Sequence, residues 1–240
     1  MKSIIFTISP DSVIRLPYAH FEMLQGLFYK LLSFNNEYST FLHNKQTDNH
    51  AACKLFCFSD IGGKYENVDN QLIYSGELTW EIRVAEDRTI DIILENIFNR
   101  RRFSLNNCPF MITDIELTSI YIPDQPFYFE MSTPIVTYKT ENNKTIYYSP
   151  EDDEFYEIIE SNMRNKYYSV FGEDYDGEFR LICNYCTDKY KRVTRYKGTI
   201  INGWLGKFTM EADIAMIYTA YYCGIGSKNS MGFGMIKQRL

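Results

Sequence analysis

The hydrophobic period of this chain switches from strand-like to helix-like and back in an order that few folds accommodate. Residues 2–9 alternate well enough for a strand. After a break at Leu16-Pro17, residues 19–32 carry Phe21, Leu24, Leu27, Phe28, Leu31 and Leu32 along one helical stripe. Residues 36–42 suit a second, short helix, and residues 55–58 a strand. Residues 78–85 put Leu78, Trp80, Ile82 and Val84 on one strand face, and residues 87–99 return Ile90, Ile93, Leu94, Ile97 and Phe98 at helical spacing. With residues 110–122 as the closing strand, the main order is strand, helix, strand, strand, helix, strand. That is the split pattern of a ferredoxin-like domain.

Past a linker at Ile122-Pro123-Asp124-Gln125-Pro126, the pattern begins again. A strand near 135–138 precedes a helix opened by Ser149 as N-cap and Pro150 in the first turn. Glu151, Asp152, Asp153 and Glu154 there complement the helix dipole and need no metal to explain them. Strands at 179–186, 190–196 and 198–210, a helix from Ala212 and a last strand at 233–236 complete the series. The expected class is α+β, with two tandem ferredoxin-like (βαββαβ, RRM-like) domains at 1–123 and 124–240.

Apolar residues are 45% of the 240, enough to build real cores. No apolar run approaches the roughly 18 residues of a membrane span, and residues 1–8 lack a signal peptide's long apolar region, so a cytoplasmic protein without membrane contact is expected. Six cysteines are too sparse for a disulfide scaffold. Cys183 and Cys186 have zinc-like spacing, but residues three apart on a strand face opposite sides, so no metal is expected.

The net charge of −6 conceals a strong asymmetry. Residues 141–178 hold eleven acids and three bases, a balance of −8, whereas residues 179–240 hold ten bases and three acids, a balance of +7. Inside that basic part, Lys189, Lys191, Arg192, Arg195 and Lys197 interleave with Tyr190 and Tyr196 on one strand. Cations beside aromatic rings suit an RNA backbone and its bases. Near the C-terminus, Gly224, Gly226, Lys228, Gly232 and Gly234 join a helix to a strand. Glycines let successive amides approach one phosphate and the lysine adds a full charge, although a tight packed turn would use the same residues. The helix-then-strand order is the reverse of a dinucleotide fingerprint.

Taken whole, Gly224-Ile225-Gly226-Ser227-Lys228-Asn229-Ser230-Met231-Gly232-Phe233-Gly234 closely resembles the glycine-rich loop of the sixth Cas family of the RAMP superfamily. These are the CRISPR-associated endoribonucleases that cut precursor CRISPR RNA within its repeats. At the other end of the chain, residues 16–32 look like that family's first helix, and Tyr38-Ser39-Thr40-Phe41-Leu42-His43 followed by Lys54-Leu55-Phe56 is similar to the segment completing its active site. In archaeal members with a tyrosine, histidine and lysine triad, the matching positions are Tyr29, His43 and Lys54. The loop from His43 to Lys54 is longer here and carries His50; His20 is the third of only three histidines.

The resemblance implies an endoribonuclease in which the RNA supplies its own 2′-hydroxyl nucleophile. Cleavage then leaves a 2′,3′-cyclic phosphate and a 5′-hydroxyl, with no cofactor or metal. His43 suits acid or base work, Tyr29 acid work or orientation, and Lys54 charge stabilisation. The implied partners are CRISPR repeat RNA and, beyond it, a CRISPR effector complex or a second copy in a homodimer. The alternative from another class is a non-catalytic subunit that holds guide RNA in such a complex.

Overall fold

The computed structural model describes residues 1–33, 53–122, 126–142 and 144–239. In chain order the first half runs β1 (Lys2–Pro10), β2 (Ile14–Pro17), α1 (Phe21–Leu32), β3 (Phe56–Phe58), β4 (Gly62–Val68), β5 (Gln71–Val84), α2 (Asp87–Asn99), β6 (Arg102–Leu105) and β7 (Cys108–Thr118). Strand alternation puts Ile4, Phe6 and Ile8 of β1 on one face with Leu78, Trp80 and Ile82 of β5, and α1 and α2 cover that face. β1 lies antiparallel between β5 and β7, and β3 pairs with the outer side of β5. The early part of β5 extends past this core to pair with β2 and β4, and β6 adds to β7.

The second half runs β8 (Phe127–Met131), β9 (Tyr138–Glu141), β10 (Lys144–Tyr147), α3 (Asp153–Phe171), β11 (Arg180–Tyr185), β12 (Lys191–Tyr196), β13 (Thr199–Trp204), β14 (Lys207–Glu211), α4 (Ile214–Cys223) and β15 (Ile236–Gln238). Its main sheet has the order β11–β14–β8–β15. This repeats the β3–β5–β1–β7 order of the first half, so both halves are ferredoxin-like. Two hairpins, β9–β10 and β12–β13, are separate additions.

Several second-half expectations need correction. The first strand is β8, not residues 135–138: Phe127, Phe129 and Met131 alternate inward and pair with β14 and β15. The helix begins at Asp153 with Asp152 as N-cap; Ser149 instead donates its amide and hydroxyl to Asp152 Oδ2. Residues 198–210 are two strands broken around Leu205-Gly206, which leaves β12 in its own hairpin instead of the main sheet. Lys197 and Gly198, at φ 47° and 81°, close that hairpin with the left-handed two-residue turn its twist requires. A register shift between Cys183 and Tyr185 also brings Cys183 and Cys186 to the same small cavity of about 70 Å³, so their sides are not opposed. The helix expected at 36–42 lies outside the described residues.

The two halves meet through the glycine-rich loop. Phe233 packs edge-on against Phe21 of α1 at 5.3 Å between centroids. Gly232 has φ 92°, and a Cβ there would lie 2.8 Å from Phe58 Cε2 and 3.1 Å from Phe21 Cγ, so both conformation and space demand glycine. Gln25 of α1 donates to Ser230 O at 2.6 Å. Elsewhere along the seam, the buried Arg83 of β5 donates to Ile236 O at 2.6 Å and stacks on the Tyr221 ring. No described helix is long and apolar enough to cross a membrane.

Candidate active site

Position along α1 decides what Tyr29 can do. Leu24, Leu27, Phe28, Leu31 and Leu32 are buried, and Tyr29 sits at the edge of that stripe, half-buried, with its ring edge-on to Phe28 and Phe56. Its hydroxyl therefore emerges beside the chain entering β3. Lys54, two residues before β3, donates from Nζ to the Tyr29 hydroxyl oxygen at 3.1 Å. A lysine offers only donors, so the phenol accepts here and its own proton is not used in this bond. Thus two of the three expected catalytic side chains are in direct contact. His43 and His50 lie outside the described residues.

Lys54 also lines a cleft of about 310 Å³ whose far wall is the glycine-rich loop, including Gly226, Lys228, Asn229 and Ser230. Lys228 adopts φ 62° and sets its Nζ 4.2 Å from the centre of the Tyr138 ring. The amides of Ile225, Ser227, Met231, Gly232 and Gly234 all donate to internal carbonyls. Those of Gly226, Lys228, Asn229 and Ser230 are not among these donors, and these residues border the cleft. Gly224, Gly226, Gly232 and Gly234 all have positive φ, and a Cβ on Gly234 would overlap the Ile225 carbonyl oxygen. The packed turn and the anion-facing loop are therefore the same object: some residues close the turn and others line the cleft.

A lysine that sequence reasoning passed over holds this loop. Lys166 of α3 is 5% exposed, and its ammonium donates to Gly224 O, Gly226 O and Asn229 Oδ1 at 2.7, 2.8 and 2.7 Å. Burial pushes its pKa down to about 8, against the opposing pull of Cys53, Cys223 and Cys57. Asn229 in turn donates from Nδ2 to Ile225 O and Phe233 O, both at 3.0 Å. The signal was present in the helix period: Phe155, Ile159 and Met163 form the buried stripe of α3, and Lys166 is its next member.

The basic hairpin abuts the same region. Tyr196, the last residue of β12, is buried against Val136, Ile201 and Phe233, and its hydroxyl donates to Gln25 Oε1, four residues before Tyr29. Lys191, Arg192, Arg195 and Lys197 are exposed, as is Lys189 in the 3-10 turn before the strand. Arg102, the last of three successive arginines that follow α2, forms a bidentate pair with Asp11 at 2.8 and 3.1 Å. Among the described residues no three His, Cys, Asp or Glu side chains converge as a metal site.

His20 is 2% exposed, with Nδ1 2.9 Å from Pro17 O and Nε2 2.6 Å from Asp60 Oδ1. Both partners accept, so the geometry favours the doubly protonated ring, with both ring nitrogens engaged inside the protein. Burial alone would lower its pKa, but the Asp60 hydrogen bond and charge, with the nearby carbonyls, raise it above 6.5. A raised folded-state pKa gives stability that is complete below the unfolded value of 6.5 and is lost as pH rises through the folded value. Denaturation midpoints are expected to fall across that window in the wild type and to fall less in Asp60→Asn. Parallel pH curves for the two proteins would contradict the pairing.

Comparison with known proteins adds the following. Residues 117–238 match the family model described as CRISPR associated protein Cas6, C-terminal. The chain is 26% identical over 238 residues to CRISPR-associated endoribonuclease Cas6 of Pyrococcus furiosus, covering 95% of this chain and 85% of that one. It is 24% identical to CRISPR-associated endoribonuclease Cas6 1 of Methanocaldococcus jannaschii, covering 95% and 89%. Among solved structures, one reported as the characterization of a Cas6-related gene from Pyrococcus furiosus superposes with a TM-score of 0.83 at 21% identity, covering 99% of this chain and 98% of that one. Another, an RAMP protein binding different RNA substrates, gives a TM-score of 0.82 at 21% identity over both full chains.

Proposed function

The chain belongs to the Cas6 family of CRISPR-associated proteins, and on that premise we propose that it is an endoribonuclease that cuts precursor CRISPR RNA within its repeats. The observation that carries this reading is the hydrogen bond to Tyr29 from Lys54, which lines a cleft whose other wall is the lysine-bearing glycine loop. The nucleophile belongs to the substrate: a 2′-hydroxyl attacks the adjacent phosphorus in line and the bond to the 5′ oxygen breaks. The products are a 2′,3′-cyclic phosphate and a 5′-hydroxyl. Because no external nucleophile has to be generated, two proton transfers and charge stabilisation suffice, and a metal ion has no required task.

His43 takes or gives one of those protons. Tyr29 supplies the other or orients the phosphate, and Lys54 stabilises the charge that grows on the non-bridging oxygens. Lys228 and the amides of Gly226, Lys228, Asn229 and Ser230 cradle the phosphate across the cleft, with Gly224, Gly232 and Gly234 holding the turn that presents them. Lys189, Lys191, Arg195 and Lys197 neutralise the flanking backbone, and Arg192 meets the RNA from the other face of β12. Residues 1–123 and 124–240 act as two domains that grip one RNA.

Incubating the pure protein with repeat RNA in excess chelator, followed by end-group analysis, tests this reading. One cut leaving a cyclic or 3′-phosphate and a 5′-hydroxyl is expected. Tight binding without a cut would favour a subunit that only holds guide RNA. For the hairpin, Lys191→Ala with Arg195→Ala is expected to flatten the dependence of log affinity on log salt by about 0.7 per lost contact, about 1.4 together. An unchanged slope would remove β12 from the interface.

A further inference from the structure

A second cleft, of about 470 Å³, shares no residue with the lysine cleft. We propose that it holds one unstacked nucleobase of the repeat RNA; this rests on the function proposed above and adds a base-reading site to it. One wall comes from the first half, with Tyr18, Asp60, Tyr65 and Asn67, and the other from the second half, with Arg192 and Thr194 of β12.

Its polar groups are arranged for a ligand that both donates and accepts. Asp60 spends Oδ1 on His20 and on the Ile61 amide, Asn67 spends Oδ1 on the Tyr18 hydroxyl, and Arg192 spends one terminal nitrogen on the carbonyls of Lys189 and Lys191. Among the described residues, Asp60 Oδ2, Asn67 Nδ2 and the other terminal nitrogen of Arg192 meet no protein partner. One acceptor and two sets of donors therefore line one cavity, the complement of a base edge that alternates N–H and C=O or ring nitrogen. A phosphate placed there would face the Asp60 carboxylate. A purely apolar ligand would strand all three groups.

The aromatic content fits the same ligand. Tyr18 and Tyr65 are 55% and 51% exposed, and each offers a ring on which a base can stack. The salt pair of Asp60 with buried His20 fixes the carboxylate before any ligand arrives. β12 supplies the route: Lys191 and Arg195 lie on one face of the strand and Arg192 and Thr194 on the other, and Arg192 and Thr194 line the cleft together with Val193. An RNA strand passing this edge has cations for its backbone on one side and a base cavity on the other.

The test is an abasic scan. Repeat RNAs with one base removed at each position in turn are bound to wild type and to Tyr65→Ala with Asn67→Ala, two exposed positions. For wild type, one position is expected to lose about tenfold in affinity beyond its neighbours, within the range of one stacked base. The double variant is expected to bind intact repeat about tenfold more weakly and to lose less than about twofold more at that same position. Equal penalties in the two proteins at every position would overturn the site while leaving the nuclease reading intact. Failure of wild type to bind or cut intact repeat would instead sink the function, and the ligand assigned to this cleft with it.

Discussion

Lys166→Met is expected to destabilise the fold by about 2–4 kcal/mol and to free the glycine-rich loop. The substitution strips three buried acceptors of their donor, each worth about 1–3 kcal/mol when left unsatisfied. Against that stands relief of the desolvated ammonium, whose cost is visible in a pKa of about 8. The loss wins because three buried acceptors, Gly224 O, Gly226 O and Asn229 Oδ1, all depend on this one ammonium. Lys166→Arg is not expected to rescue it, since a planar guanidinium cannot fill the place of a compact ammonium among three converging oxygens. Denaturant unfolding measures the first effect, and amide exchange at residues 224–234 the second. Unchanged stability with an equally protected loop would show that Lys166 is a bystander.

His43→Ala is expected to lower the single-turnover cleavage rate by about 100- to 10,000-fold, the scale of a general acid or base, while binding repeat RNA as wild type does. His43 is the imidazole that the family resemblance implies, and the fold removes His20 as its rival. His20 is buried and both its ring nitrogens are engaged by Pro17 O and Asp60, so neither is presented to a substrate. Lys54, another residue of the implied triad, donates to Tyr29, the third. Cleavage at the parent rate in this variant would remove imidazole catalysis from the mechanism, or move it to His50.

The sequence was most legible where hydrophobic period alone decides the outcome. Helix α2 has the ends its apolar spacing predicts, Asp87–Asn99, and β1 and β7 occupy their expected places with small shifts, whereas β5 starts at Gln71, well before the expected residue 78. It was least legible where a short strand sits beside prolines: β8 begins directly after the proline-containing linker, whereas the first strand of the second unit was expected near 135–138. The hairpin status of β12 was hidden because a strand's alternation does not say which neighbour it pairs with.

The site followed the same division. Tyr29 and Lys54 were chosen by resemblance, and their contact depends on a fold that brings α1 beside the start of β3, which no local pattern encodes. The glycines were legible as special backbone, but their partner was not: Lys166 stands 58 residues from Gly224 O. Only its place on the buried stripe of α3 marked it. Asp60 and Asn67 carried no signal, being ordinary polar residues around β4 until tertiary structure sets them in one cleft.

The central claim is that Tyr29 and Lys54 act together on the scissile phosphate. Single-turnover cleavage by Tyr29→Phe, Lys54→Ala and the double variant, at protein concentrations that saturate the RNA, tests it most directly. Each single change is expected to slow the cut by about 10- to 100-fold, and the double variant is expected to be little slower than the worse single one, because groups that act as a unit are not additive. Rates that match wild type, or penalties that multiply in full, would contradict a joint role for the pair.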